Sequence, residues 1–283
     1  MIIFDFEYHK PDTVQEAIDL FQQLTLQNKQ PVYYSGGTEI ITLGRLGKLY
    51  AGAVIDIKGI PECNALEINH DKLIMGAGVF LTKLAETNHF PLLTESAGRV
   101  ADHTSRGKIT LGGNICGNFI YREAVLALLA SDSKVTIAGI NGLRTVPLLE
   151  AFRERLQLAT GEFLVQVATD AAYLSLPHRG VKKTRMDRIG YPLVSMAILK
   201  KNNRLQVAVS GVCAFPFRSL EMENELNNNS PYETRITNAL QYLPAPILDD
   251  VEGTADYRSF VLKNTLQDTL THFEGDYNVS DGK

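Results

Sequence analysis

Several things are scarce in this 283-residue chain, and each scarcity removes a class of function. Charge of one sign is scarce: 28 Lys and Arg face 32 Asp and Glu, a net charge of −4, so the basic stripe of a nucleic-acid binder is missing. The three cysteines, Cys63, Cys116 and Cys213, lie far apart with no C-x-x-C, so this chain alone can build neither a zinc ribbon nor an iron–sulfur cluster. An odd count of scattered cysteines suits a reducing compartment. The six histidines are solitary, with no H-x-H or H-E-x-x-H, and no metal site is expected. No apolar run approaches a membrane span, and the start lacks the basic flank and cleavage site of a signal peptide, so a cytoplasmic location is expected. Neither a G-x-G-x-x-G opening a helix nor a P-loop occurs, which disfavours the doubly wound dinucleotide fold and P-loop nucleotidases.

What the chain does have is two glycine pairs in polar company. The first is Ser35-Gly36-Gly37-Thr38-Glu39 and the second Thr110-Leu111-Gly112-Gly113-Asn114. Adjacent glycines let the backbone take φ > 0 and turn successive N–H groups into a concavity that suits anionic oxygens. Two such loops in one chain suit a pyrophosphate-containing cofactor. A single Gly-Gly-Thr is more often a plain tight turn.

The pattern around the loops is mixed. An alternating segment at Phe4–Tyr8 leads to a helical period over 13–26, with Asp12 or Thr13 as N-cap, and then to strands at 31–34 and 53–58. A hairpin is expected through Asn69-His70-Asp71-Lys72, helices at 81–86, 91–100 and 122–131, and a second hairpin about Asn141-Gly142. Further on come a short helix at 148–153, strands at 163–167, 172–176, 193–200 and 205–212, and helices near 232–242 and 255–265. Pro177 to Gly180 reads as a boundary and the tail after Glu274 as frayed. The fold class is therefore α+β: residues 1–176 form one domain, with parts near 1–55 and 56–176, and residues 177–283 a smaller α+β domain.

The order S-G-G-T-E, G-A-G-V, T-L-G-G-N-I, an Ala/Leu-rich helix and then K-x-x-R resembles the FAD-binding medium subunit of molybdenum hydroxylases of the xanthine dehydrogenase and carbon monoxide dehydrogenase type. The resemblance spans nearly the whole chain and implies a two-part, PCMH-like FAD-binding domain followed by the smaller domain. It places the FAD pyrophosphate on Ser35, Gly36, Gly37, Thr38 and Glu39, with Ile40 nearby, and a second cofactor contact on Thr110, Gly112, Gly113 and Asn114. Glu123 stands where the family usually has an aspartate for the sugar, and Lys182 with Arg185 where it has groups near the isoalloxazine ring, Lys183 being a competing alignment. Lys182, Lys183, Arg185 and Arg188 equally fit a solvated basic face or a docking patch. The sequence departs from the family at Phe119-Ile120-Tyr121-Arg122, where a Ser-Pro pair is common, and at Arg106-Gly107, where Arg-Asn is usual.

The implied function is electron transfer within a heterotrimer. A large partner would carry the molybdenum cofactor and a small one the 2Fe–2S clusters, with FAD here passing electrons to NAD or another acceptor. No catalytic acid–base set is expected on this chain. Two alternatives remain: a stand-alone flavin reductase resembling UDP-N-acetylenolpyruvoylglucosamine reductase, for which no matching catalytic set is found, and a flavin-poor assembly subunit.

Overall fold

The computed structural model describes residue 2 and residues 4–185 and 190–275. Arg188 and the tail beyond Gly275 fall outside the described residues. The described residues form two units: those up to 89 with 101–118 and 132–172, and residues 90–100 and 119–131 with those from 173 onward.

The first unit opens with a parallel sheet of β1 (Glu7–His9), β2 (Pro31–Tyr34) and β3 (Ala53–Asp56), with β3 in the middle. Helix Val14–Leu26 connects β1 to β2. Thr13 is its N-cap, accepting the Glu16 N–H at 3.1 Å, and Ala17, Ile18 and Leu24 face inward. A second sheet contains two hairpins, β4 (Leu66–Asn69) with β5 (Lys72–Gly76) and β6 (Lys134–Gly139) with β7 (Gly142–Pro147). A short ribbon, β8 (Phe152–Arg153) with β9 (Arg155–Leu156), precedes β10 (Phe163–Asp170). β10 runs antiparallel between the hairpins, giving the order β4-β5-β10-β6-β7. Tyr33 ties the layers together: its ring lies 5.0 Å from that of Phe21 and 4.5 Å from that of Phe163, and its hydroxyl donates to the Gly161 carbonyl at 3.1 Å. This anchors the end of β2, where the first glycine loop starts.

The second unit is an antiparallel sheet of β11 (His178–Thr184), β12 (Pro192–Lys201), β13 (Arg204–Ser210) and β14 (Phe217–Arg218), in that order. Alternate residues Val194, Met196 and Ile198 share a core with Leu262, Leu266 and Leu270 of helix Ala255–Glu274 and with helices Leu220–Leu226 and Tyr232–Ala239. Leu193, Ser195 and Ala197 are buried as well, so β12 is covered on both faces, and the wholly buried helix Ala124–Ala130 packs on β12 and β13.

Both predicted hairpins form, as do the helices at 14–26, 81–87, 91–98, 124–130, 232–239 and 255–274. Others differ. The expected strand at 172–176 is a 3-10 turn, Ala171–Tyr173, and the expected boundary at 177–180 lies largely inside β11. The expected strand at 53–58 ends at Asp56, because the Asp56 carboxylate accepts the Lys58 N–H at 3.0 Å and turns residues 57–59 into a 3-10 helix. Short helices at Thr38–Arg45, Leu111–Cys116 and Leu220–Leu226 were not expected from the sequence. The first two contain glycine and β-branched residues that weaken helix propensity, and tertiary contacts overrule it. Among the described residues no helix is long and apolar enough to cross a membrane.

Candidate functional site

Each glycine pair stands at the start of a short helix, and the two starts are built differently. In the first loop Gly37 has φ 70 and is the N-cap of Thr38–Arg45, with no side-chain cap. A Cβ there would lie 2.2 Å from the Tyr34 ring, so both backbone conformation and space demand glycine. The first intrahelical bond is Ile41 N–H to the Gly37 carbonyl at 2.8 Å. Helix geometry leaves the Thr38, Glu39 and Ile40 N–H groups with no carbonyl behind them, at the positive end of the helix dipole. The Ser35 hydroxyl is buried with no hydrogen-bond partner among the described residues. Such a group is costly to leave unmade and is suited to a ligand oxygen.

In the second loop Thr110 is the N-cap, its hydroxyl accepting the Gly113 N–H at 3.2 Å. Leu111 N–H donates to the Val79 carbonyl and Gly112 N–H to the Ala77 carbonyl, both at 2.8 Å. A Cβ on Gly112 would lie 2.6 Å from that of Ala77, so this glycine permits close packing. Gly113 is different: it is exposed, and its missing Cβ would meet nothing within 4 Å but the Thr110 hydroxyl at 3.0 Å.

The structure brings these two loops together. The α-carbon of Gly36 packs so closely on the second loop that a Cβ would fall 2.1 Å from the Lys108 carbonyl oxygen and 3.1 Å from Thr110 N. Glu39 closes the other side, its carboxylate accepting the Asn118 N–H at 2.9 and 3.1 Å. Ile40 is half-buried beside it on the helix, and Asn114 is half-buried on the second. Beneath the first loop lie two residues that motif reading passed over, Asp56 and Lys58. Lys58 Nζ donates to the Ser35 carbonyl at 2.6 Å and to both Asp56 oxygens at 2.8 Å. The one available signal was two charged residues closing the otherwise apolar run 53–58.

Glu123 and Lys182 come together in the second unit, both side chains nearly inaccessible, with Lys182 Nζ 3.1 Å from Glu123 Oε2. Ser195 Oγ donates to Glu123 Oε1 at 2.6 Å and Lys182 also donates to the Arg99 carbonyl at 2.8 Å. Burial pushes the Glu123 carboxyl above the ordinary carboxylate range, while Lys182 and Ser195 pull it back. The group lines a small cavity with Glu95, Arg99 and Met196. Lys183 is exposed, and Arg185 donates instead to the Val251 carbonyl at 2.6 Å, apart from the Glu123 pair.

An α+β unit with paired glycine loops, an uncapped helix start and a buried unpaired hydroxyl suits an anionic cofactor by its chemistry. The family profile described as "FAD binding domain in molybdopterin dehydrogenase" matches residues 4–169, and the chain belongs to that family. It is 30% identical over 146 residues to the carbon monoxide dehydrogenase medium chain of Hydrogenophaga pseudoflava, covering 50% of each. It is 26% identical to the nicotinate dehydrogenase FAD-subunit of Eubacterium barkeri, over 59% of this chain and 58% of that one. These two matches thus span only 50% and 58% of the relatives' length. A third, the 6-hydroxypseudooxynicotine dehydrogenase complex subunit alpha of Paenarthrobacter nicotinovorans, is 26% identical over 94% of this chain and 93% of that one. Among solved structures, the Hydrogenophaga pseudoflava carbon monoxide dehydrogenase superposes with a TM-score of 0.83 at 22% identity, covering 95% of this chain and 96% of that one. Quinoline 2-oxidoreductase from Pseudomonas putida 86 gives 0.83 at 20%, covering 97% and 99%. At these identities the likeness establishes the fold.

FAD fits the residues of the first loop. The open N–H groups and the Ser35 hydroxyl suit a pyrophosphate, and the left-handed turn at Gly37 sets the direction of the helix start that presents them. Gly36 serves a different end, because the space a side chain would take there is filled by the second loop.

Proposed function

We propose that this chain is the FAD-binding electron-transfer subunit of a molybdenum hydroxylase complex. The observation that carries the reading is the first loop: an uncapped helix start beside a buried, unpartnered Ser35 hydroxyl, in a chain of this family. Ser35, Gly37, Thr38 and the N–H groups of Glu39 and Ile40 hold the pyrophosphate. Gly36 and the Glu39 carboxylate hold the two loops together. Thr110, Gly112 and Asn114 shape the second loop, and the bare backbone of Gly113 is its cofactor contact. Glu123 serves the cofactor sugar and Lys182 and Arg185 the ring, with Glu123 and Lys182 acting as one ion pair.

When bound, FAD supplies the electron acceptance and release that no side chain of this protein provides. The substrate is oxidised on a large molybdenum-cofactor subunit, a small 2Fe–2S subunit relays electrons, and NAD or another acceptor removes them. These assignments rest on the family and on names such as carbon monoxide dehydrogenase medium chain and nicotinate dehydrogenase FAD-subunit. The test is the visible spectrum of the purified chain, with heat-released flavin identified by chromatography, followed by capture of partners from the native host. FAD release and recovery of molybdenum and iron–sulfur subunits is the expected result. A colourless chain that ignores added FAD, alone and in its complex, overturns the reading.

A further inference from the structure

The first glycine loop rests on a charge pair that the cofactor reading leaves without a task. An ammonium has three hydrogens to donate. Lys58 directs its contacts at the Ser35 carbonyl (2.6 Å) and the two Asp56 oxygens (2.8 Å each), and its Nζ lies 4.8 Å from the centre of the Tyr34 ring. Asp56 is buried and is held from two further directions: the Tyr8 hydroxyl of β1 donates to Oδ2 at 2.6 Å, and the Lys58 N–H donates to Oδ1 at 3.0 Å. The chain of contacts therefore runs from β1 through the end of β3 to the peptide that joins Ser35 to Gly36.

That peptide is planar and trans, so its carbonyl and its N–H point in opposite directions. Holding the Ser35 carbonyl toward Lys58 turns the Gly36 N–H away from it. The same anchor sets where Gly37 begins its left-handed turn and so where the Thr38–Arg45 helix presents its first N–H groups. With its hydrogens directed to Ser35 and Asp56, Lys58 has no spare donor for a phosphate.

We propose that Lys58, held by Asp56 and Tyr8, is the positioning residue of the pyrophosphate loop, fixing the Ser35–Gly36 peptide and thereby FAD affinity without touching the cofactor. This rests on the reading of the loop as a pyrophosphate site. Burial pushes the Asp56 carboxyl up, but the hydrogen bonds from Lys58 and Tyr8 outweigh it and hold the group below its ordinary value of 3.8. Asp56 is then charged and neutralised throughout the physiological range. Tyr8, Tyr34 and Lys58 are the titratable groups that face it. The hydrogen bond to Asp56 pushes the Tyr8 hydroxyl up to about 12, and burial raises that of Tyr34, so neither phenol ionises near neutrality.

The experiment is FAD titration of the full chain by flavin fluorescence, on wild type, Lys58→Met, Lys58→Arg and the double variant Asp56→Asn/Lys58→Met, each with a native circular dichroism spectrum. Lys58→Met is expected to weaken FAD binding by about 10-fold or more, the scale of one lost charge-assisted hydrogen bond. Lys58→Arg, which can still bridge the carboxylate and the carbonyl, is expected within about 3-fold of wild type. The pH profile separates positioning from general damage. Wild type is expected to be flat between about pH 5 and 8. In Lys58→Met the buried Asp56 loses its cation, its carboxyl moves up from its wild-type position, and its charge opposes the pyrophosphate, so affinity falls as pH rises. The double variant has no such carboxylate and is expected to be weak but flat. Should Lys58→Met fail to fold, the double variant, which leaves no buried charge, carries the test. Wild-type affinity in the folded Lys58→Met or double variant overturns the proposal, as does a Lys58→Arg no better than Lys58→Met, or a flat Lys58→Met profile. A wild-type chain that takes up no FAD, alone or with its partners, overturns the pyrophosphate reading itself.

Discussion

The two glycine loops look interchangeable in sequence and are opposites in donor accounting. The first ends a strand, turns left-handed at Gly37 and leaves a helix start with no side-chain cap. In the second the leading donors already have acceptors in the protein: Thr110 accepts the Gly113 N–H, and the Val79 and Ala77 carbonyls accept those of Leu111 and Gly112. Their glycines differ in kind too. Gly36 and Gly112 are glycine because other residues' backbone packs against them and Gly37 because φ is 70, whereas at Gly113 only solvent and one hydroxyl lie where a Cβ would be, so the fold itself does not demand glycine there. A glycine pair is thus a weak sign of an anion site, and the decisive question is which N–H groups already have acceptors.

The sharpest way to break the comparison is to separate the loops. Gly36→Ala places a Cβ 2.1 Å from the Lys108 carbonyl, a backbone atom that can retreat only if the second loop moves. Denaturant unfolding is expected to show a loss of about 3 kcal/mol, the upper end of the usual cost of overpacking, with FAD uptake lost alongside. An unfolding midpoint equal to wild type would mean that the two loops are not in fact locked together.

Next in size is the cap of the second loop. Thr110→Ala removes the acceptor of the Gly113 N–H and is expected to cost about 1 to 2 kcal/mol, with Thr110→Ser restoring most of it. No equivalent cap exists on the first loop, so Thr38→Ala there should be close to neutral in stability. Equal losses at the two positions would contradict the difference in donor accounting. A smaller loss, about 1 kcal/mol, is expected for Glu39→Ala, which leaves the Asn118 N–H without its carboxylate at a partly solvated site. Glu39→Gln, which keeps one acceptor oxygen, should recover about half of that.

The periodic parts of the fold were legible before the structure. Helix 14–26 carried its own N-cap and an apolar face, and the Asn141-Gly142 turn specified its hairpin. The loops themselves were legible as motifs, but the helices they open were not, because Thr38–Arg45 and Leu111–Cys116 are too short and too rich in glycine and β-branched residues to announce themselves. The strand expected at 172–176 failed because a short apolar run has the same pattern in a strand as in a turn that buries Tyr173. Lys58 and Asp56 were invisible for another reason. Their task is defined by a carbonyl in the loop that follows β2, 23 residues away for Lys58, and no local spacing encodes it.

The subtlest comparison is between Gly36 and Gly113, since the same substitution at both should separate folding from binding. Gly113 sits in the first turn of helix Leu111–Cys116, where alanine is the better helix former by about 1 kcal/mol. The new methyl would press on the Thr110 hydroxyl at 3.0 Å, tight enough to strain the cap and offset much of that gain. Stability is therefore expected to stay within about 0.5 kcal/mol of wild type. The methyl would nonetheless cover the one face of the second loop that is bare backbone, so a cofactor resting there must move away or be lost. FAD affinity is expected to fall by about 10-fold with no change in the unfolding midpoint. Unchanged FAD affinity in Gly113→Ala would remove the second loop from the cofactor site and leave it as the brace that holds the first loop in place.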